Sequence, residues 1–254
     1  MYKKNFLLST GSRSLILFVV VTTGSFTACD FESPAEKFDK KTGQEPVYTI
    51  EKMDSILSTF ESVSFSELPD EYLVYTDPNG TFNKKLKDKK YRIVQGEECF
   101  LYIVGKNRIQ NFLCTDKYFI ENEKNIEANK KLYWLIDRQL LVWILEFMDE
   151  LKSRDYNRDG FEVRESYRHA YYNEERGGAT QSQHIFGTAA DLTIKDINGD
   201  GKENETDKEI ALEILETLVG DKGGMGLYPG TMTIHIDTRG FRARWNSYKR
   251  PDKK

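Results

Sequence analysis

Residues 231–240 read Thr-Met-Thr-Ile-His-Ile-Asp-Thr-Arg-Gly. Met232, Ile234 and Ile236 alternate with Thr231, Thr233, His235 and Asp237, the period-2 pattern of a strand with one face in a core and the other polar. Two steps of extended chain set His235 and Asp237 about 7 Å apart on that polar face. A second stretch, residues 182–192 (SQHIFGTAADL), leads into the same alternation, with Ala190, Leu192 and Ile194 opposing Asp191 and Thr193. His184 arrives from the turn before this strand, and Gly187 lets the backbone pass closely. If the two strands pair, two imidazoles and one carboxylate converge on one sheet face. With the helical patterns that lie around them, these strands predict an α+β fold, a small antiparallel sheet with flanking helices.

Two chemistries fit that convergence. Two histidines and a carboxylate are a ligand set for catalytic zinc, where a fourth position stays open for water. Isolated histidines are equally at home as satisfied hydrogen-bonding residues, and the spacing alone leaves both readings open.

Two segments have helical period. Residues 127–152 place Ile136, Leu140, Trp143, Phe147 and Leu151 on one stripe and Leu141, Leu145 and Met148 on a second, as in a central core helix. After residue 205, Thr206 as N-cap with Glu209 three residues on precedes Ile210, Ile214, Leu215 and Leu218 and a stop at Gly220.

The whole chain has 254 residues, with 37 Lys+Arg against 41 Asp+Glu and a net charge of -4. Aromatic residues at 13% exclude a mostly disordered chain, and the mild acidity gives no electrostatic reason for a nucleic-acid partner. Residues 1–28 contain Lys3, Lys4 and Arg13, no acidic residue, and an apolar run from Leu15 to Val21. That run is too short to span a bilayer comfortably and reads as a signal peptide. Its end, Phe26-Thr27-Ala28-Cys29, resembles the lipobox of bacterial lipoproteins, which implies acylation of Cys29 and an exported protein anchored by lipid on the periplasmic or cell-surface side of a bacterial membrane. Ordinary secretion with Cys29 as a thiol is the alternative. Residues 29–46 are charged and read as a tether, residues 47–126 as an N-terminal α+β module of unassigned role, and residues 127–250 as the domain that carries the chemistry. Within the module, residues 91–114 suggest a hairpin with its turn at Lys106-Asn107. That register sets Cys99 opposite Cys114, within disulfide reach in an oxidising compartment.

The segment SQHIFGTAADL followed by GGMGLYPGTMTIHIDTRGFRARW resembles the zinc-dependent D-Ala-D-Ala metallopeptidases and murein endopeptidases, which share a fold with the hedgehog signalling domain. The motif residues are Ser182, His184, Gly187, Ala189 and Asp191, then His235 and Asp237, with Ser166, Tyr167, Arg168 and Asn173 upstream. The glycine of the upstream motif is Glu165 here or absent. The resemblance spans about Ile136 to Trp245 and implies His184, Asp191 and His235 as zinc ligands. It further implies Ser182, Tyr167 and Asn173 on the substrate side and Arg168 at the substrate carboxylate or developing oxyanion. Asp237 is implied either as general base or as the partner that orients His235. Many relatives carry a Glu or His just before the last ligand, where this chain has Met232 and Thr233. His169 has no counterpart, and cleft residue and surface histidine are equal readings.

Residues 196–207 (DINGDGKENETD) follow an EF-hand-type spacing: Asp196, Asn198 and Asp200 at the first, third and fifth places, Gly201 at the sixth, Lys202 offering a carbonyl, and Asp207 at the twelfth. Calcium is therefore expected there, against a solvated acidic turn. Residues 155–160 make a shorter version without a good last ligand, read as a turn before a strand at 161–164, with calcium as the alternative. The leading expectation is a lipid-anchored zinc peptidase acting on peptidoglycan stem or cross-link peptides, as a D,D- or L,D-carboxypeptidase or an endopeptidase. A non-catalytic zinc- and calcium-binding lipoprotein of the same fold is the runner-up, and a calcium-only adhesion lipoprotein leaves the two histidines unexplained. The sequence does not indicate an oligomeric state.

Overall fold

The structure is a computed structural model that describes residues 32–246. Its helices are α1 (Pro34–Thr42), α2 (Ile50–Leu57), α3 (Asp70–Thr76), α4 (Asn83–Leu86), α5 (Lys117–Lys124), α6 (Arg138–Ser153), α7 (Ala170–Glu175) and α8 (Glu205–Val219). The strands are β1 (Ser62–Ser64), β2 (Lys90–Gln95), β3 (Tyr102–Val104), β4 (Asn107–Arg108), β5 (Lys131–Trp134), β6 (Phe161–Glu165), β7 (Ala189–Ile194), β8 (Gly224–Leu227), β9 (Thr233–Asp237) and β10 (Ala243–Asn246). The class is α+β, with small, mainly antiparallel sheets.

The sheet that positions the site has the order β10-β8-β9-β7-β6. Neighbours are antiparallel except β10, which runs parallel to β8 at the edge. Leu192, Ile194, Ile234 and Ile236 are fully buried, as their alternation predicts, while α8 packs on β7, β8 and α6. Helix α6 buries nine residues, including Leu140, Leu141, Phe147 and Met148. Phe147 and Phe161 pack in a tilted pair at 5.1 Å between ring centres, which joins α6 to β6.

The predicted long helix begins later than its pattern suggested. Asp137 caps α6 by accepting a hydrogen bond from the Gln139 amide, and Lys131–Trp134 form β5 instead. Leu132 and Trp134 are buried while Lys131 is exposed, so period 2 wins there over period 3.6. Strand β5 pairs with β2, which carries a three-stranded sheet across the expected boundary at 126/127. Residues 34–246 form one compact unit rather than a module and a separate domain.

The expected tether also needs correction. Residues 34–42 form α1, whose Phe38 is buried against Phe100. Asp39 accepts hydrogen bonds from Arg108 Nη1 and Nη2 at 2.9 and 2.6 Å and from Tyr102 Oη at 3.0 Å. Val47 then exchanges backbone hydrogen bonds with Gly105. One aromatic side chain and one ion pair dock a segment that its composition marks as solvated. Residues 1–31, and with them the signal-peptide and Cys29 readings, lie outside the described residues. No described helix is long and apolar enough to cross a membrane.

The hairpin exists in shortened form. Tyr102 pairs with Arg108 and Val104 with Asn107, so the turn is Gly105-Lys106, with Gly105 in the left-handed region at φ +54°. Short 3-10 turns at Gly96–Phe100 and Ile109–Phe112 end the ladder, and the register that faced the two cysteines never forms. Cys99 and Cys114 are free, buried thiols, which corrects the disulfide expectation. Burial pushes the Cys99 thiol up to about 12 and the Cys114 thiol well above its usual value.

Candidate metal centre

One row of residues crosses the five-stranded sheet. Glu165 of β6 stands opposite Asp191 of β7, Asp191 opposite His235 of β9, His235 opposite Gly226 of β8, and Gly226 opposite Trp245 of β10. All five stand on one face of the sheet, opposite Leu192, Ile194, Ile234 and Ile236. His184 reaches this row from the turn Gln183–Phe186, which Gly187 closes at φ +66°. A Cβ at Gly187 would run into the Leu135 carbonyl, so no other residue fits the approach.

His184, Asp191 and His235 come together as the resemblance implied. His184 Nε2 lies 3.2 Å from His235 Nδ1 and 3.4 Å from Asp191 Oδ1, and His235 Nδ1 lies 2.9 Å from Asp191 Oδ1. A tetrahedral zinc ion with bonds of 2.0–2.1 Å separates its ligand atoms by roughly 3.3 Å. The far nitrogen of each ring is anchored. His184 Nδ1 meets the Ser166 carbonyl at 2.5 Å, and His235 Nε2 meets Asp237 Oδ2 at 3.0 Å. With a proton on each anchored nitrogen, His184 Nε2 and His235 Nδ1 present lone pairs to one point. The donor set and its spacing fit zinc.

The electrostatics agree. Burial acts against the Asp191 carboxylate, but His184 and His235 outweigh it and hold the carboxyl well below its usual range. Burial lowers His184. At His235 burial is outweighed by Asp191 and Asp237, so its value is raised, and a metal would replace a proton there.

Asp237 is fully buried, and of its two implied roles the geometry selects orientation of His235. Burial opposes its ionisation, yet Arg239 and His235 hold the carboxyl below its usual range. Arg168 lies 3.0 Å from Asp191 Oδ2 through Nη2, and the same nitrogen donates to Glu165 Oε2 at 2.8 Å. Its Nε is ion-paired with Glu165 Oε1 at 2.8 Å. The guanidinium expected at the substrate is thus committed to the back of a ligand and to Glu165.

Three implied substrate residues do not line the centre. Tyr167 is buried in an aromatic cluster with Tyr91, 6.2 Å away between ring centres. Asn173 is buried and donates to the Ala179 carbonyl at 3.1 Å, which holds the turn after α7. Ser182 begins the His184 turn, where its carbonyl accepts from Ile185 N. Tyr228, which sequence reasoning passed over, carries a hydroxyl that burial first and the Asp191 charge second push up. Its turn, Tyr228-Pro229-Gly230-Thr231, is held by buried Lys208, whose Nζ donates to the Thr231 carbonyl at 2.5 Å and the Tyr228 carbonyl at 3.4 Å. A proline-glycine turn immediately before β9 was the available signal.

His169 is neither a cleft nor a surface residue. It is buried, caps α7 by accepting the Tyr172 amide on Nδ1, and meets Asp116 Oδ2 through Nε2 at 3.1 Å. Cys114, Asp116 and His169 form the second of two groups of three His, Cys, Asp or Glu ligand atoms mutually within 4.8 Å among the described residues. Because Nδ1 accepts, the neutral ring carries its proton on Nε2, the nitrogen a metal would need. Asp116 meanwhile caps α5 at the Phe119 amide, so this trio ties two helix starts together.

The 196–207 loop is in neither group. Asp196 accepts from the Gly199, Asp200 and Gly201 amides, Asn198 from the Asp200 amide and Asp200 from the Lys202 amide. Asp207, expected as the closing ligand, is fully buried and accepts from the Ile197, Asn198 and Asn204 amides instead. Asn204, not Thr206, is the N-cap of α8. The loop closes on its own backbone, and this geometry lends no support to the calcium expected there. In the shorter 155–160 turn, Asp159 accepts from the Tyr48 hydroxyl at 2.9 Å.

Residues 138–237 match the family described as Peptidase M15. No match appears among curated proteins or solved structures. The family and the ligand geometry together support a zinc metallopeptidase.

Proposed function

We propose that this chain, whose residues 138–237 match the Peptidase M15 family, is an exported zinc peptidase that hydrolyses peptidoglycan stem or cross-link peptides. The observation that carries this reading is the trio His184 Nε2, His235 Nδ1 and Asp191 Oδ1, spaced at 2.9–3.4 Å with each ring's other nitrogen anchored. Three ligands leave a tetrahedral ion one open position. When bound, zinc supplies Lewis acidity toward a carbonyl oxygen and toward water. The protein's own groups do the rest. Ser166 O and Asp237 hold the protons of His184 Nδ1 and His235 Nε2, so both rings keep the tautomer the site needs. Arg168 balances the charge of Asp191. Peptidoglycan as substrate rests on the motif resemblance, and attachment through acylated Cys29 on the lipobox match. Zinc is the metal of this proposal, and Asp207 serves the Ile197, Asn198 and Asn204 amides.

A second reading, zinc binding without catalysis, draws on a specific observation. Met232 and Thr233 stand where relatives carry an acid/base residue, and Asp237 is buried behind His235. Incubating purified muropeptides with wild-type and His184→Ala protein, with and without a chelator, separates the two. Chelator-sensitive cleavage by the wild type alone supports the peptidase, and a zinc-loaded protein that leaves every muropeptide intact supports the second reading.

A further inference from the structure

The family match ends at residue 237, yet the chain beyond it returns to the metal centre. Arg239 Nε and Nη2 hold Asp237 Oδ1 and Oδ2 at 2.7 and 2.6 Å, a bidentate fork, and its own amide adds a third bond to Oδ1 at 3.1 Å. The remaining partners of Asp237 are the Gly224 amide at 3.2 Å and His235 Nε2 at 3.0 Å. Room for this fork comes from Gly224, where a Cβ would stand 2.7 Å from Arg239 Nε. The guanidinium lies 4.9 Å from the Trp245 ring centre, and that indole packs on the other side of His235 at 5.1 Å between ring centres. A circuit results: Arg239 to Asp237, Asp237 to His235, His235 to Trp245, and Trp245 back to Arg239.

We propose that Arg239 is a positioning residue of the metal centre, acting through Asp237 to fix the tautomer and orientation of His235, with Trp245 bracing the same ring. The inference rests on the zinc reading above for its effect on metal affinity. A carboxylate that receives two guanidinium bonds and two amide bonds cannot swing, so its one remaining contact fixes His235 Nε2 as the proton-bearing nitrogen. Loss of the fork frees the carboxylate to turn, and the ring then exchanges tautomers and presents Nδ1 only part of the time. Partners of this outer kind typically change metal affinity by about 10–100-fold.

Two measurements on the full chain test it. The first is nitrogen-15 NMR of the His235 ring in metal-free protein, compared among wild type, Arg239→Lys and Arg239→Gln with the imidazole neutral. Wild type is expected in the Nε2–H form, Arg239→Gln in a mixture, and Arg239→Lys between them. The second is zinc affinity by chelator competition, expected to fall about 10–100-fold in Arg239→Gln and less in Arg239→Lys. A wild-type tautomer in Arg239→Gln overturns the proposal. If wild type takes up no zinc while the tautomers still differ, the zinc reading fails and the role of Arg239 stands.

Discussion

Asp191 Oδ1 faces the two histidine nitrogens at 2.9 and 3.4 Å, while Asp191 Oδ2 faces Arg168 Nη2 at 3.0 Å. The two oxygens of one carboxylate therefore have separate duties, one toward the metal position and one toward the cation that offsets its charge. Zinc loading should accordingly stabilise the native state by mass action, about 2.7 kcal/mol at free zinc 100-fold above Kd. Scanning calorimetry with and without zinc is expected to show a higher Tm in wild type and no zinc-dependent shift in His184→Ala or His235→Ala. An equal shift in all three proteins contradicts the assigned ligands.

Gly226 sits where a Cβ would stand 2.6 Å from the Trp245 indole. Gly226→Ala must displace the indole or the strand, at about 1–3 kcal/mol as in other overpacked sites. Because the conflict is with one side chain, Trp245→Leu in the same chain should recover most of the loss. Urea unfolding of the single and double variants gives the coupling, and strict additivity would locate the damage elsewhere.

Lys208 is buried with its ammonium on the carbonyls that carry the Tyr228 turn. Lys208→Met removes the donor of the Thr231 carbonyl, a cost of about 1–3 kcal/mol, while the Tyr228 carbonyl keeps the Thr231 amide and hydroxyl. The turn loosens, so peptidase turnover should drop more than zinc affinity does. Equal losses in both would mean that the variant damages the sheet itself.

Arg108 holds the Asp39 carboxyl down to about 2, against an unfolded value of about 3.9. A carboxyl lowered in the native state contributes stability that is present above its unfolded value and is lost as pH falls toward its folded one. The Asp39 side chain is 29% exposed, so the contribution is about 1 kcal/mol. Asp39→Asn should therefore lower stability at pH 7 and have little further effect near pH 2. A constant difference across that range contradicts the ion pair's part in docking α1.

Burial raises both the Cys99 and the Cys114 thiol far above neutral pH. Neither should react with a thiol reagent in native protein, and both should be modified once urea unfolds it. Peptide mapping by mass spectrometry reads the two sites separately. An unreduced peptide pair joining them would restore the disulfide that the register excludes.

The shared face of Asp191 and His235 was legible in the sequence because strand alternation is local, while the ligand set itself came from the motif resemblance. Once 189–194 and 233–237 are strands, their polar positions fall on known faces. Their partners were not, since Glu165, Arg168, Tyr228, Arg239 and Trp245 reach the row through pairing register and turn geometry that no local period encodes. Arg168 shows the difference: its motif was visible, but its commitment to Glu165 depends on the strand that stands opposite β7. The tether and the hairpin failed for related reasons. Charge density hid the docking of Phe38, and two 3-10 turns cut short a ladder that β-propensity favoured. The EF-hand-type spacing was present with Asp where Glu is usual at its last place, and Asp207 is used by the backbone at the start of α8.

Asp137 was described as the cap of α6, but it also receives the Thr238 hydroxyl, and its amide donates to the Gly187 carbonyl at 2.8 Å. The Thr238 amide in turn donates to the Thr188 carbonyl at 3.0 Å. Three distant pieces of chain are thereby knotted at one spot: the head of the central helix, the bend that delivers His184, and the exit from the strand of His235. None of them can open without releasing the others, so the segments that hold the ligands share one local-unfolding unit with the core helix. The centre's rigidity is thus borrowed from the most deeply packed part of the molecule.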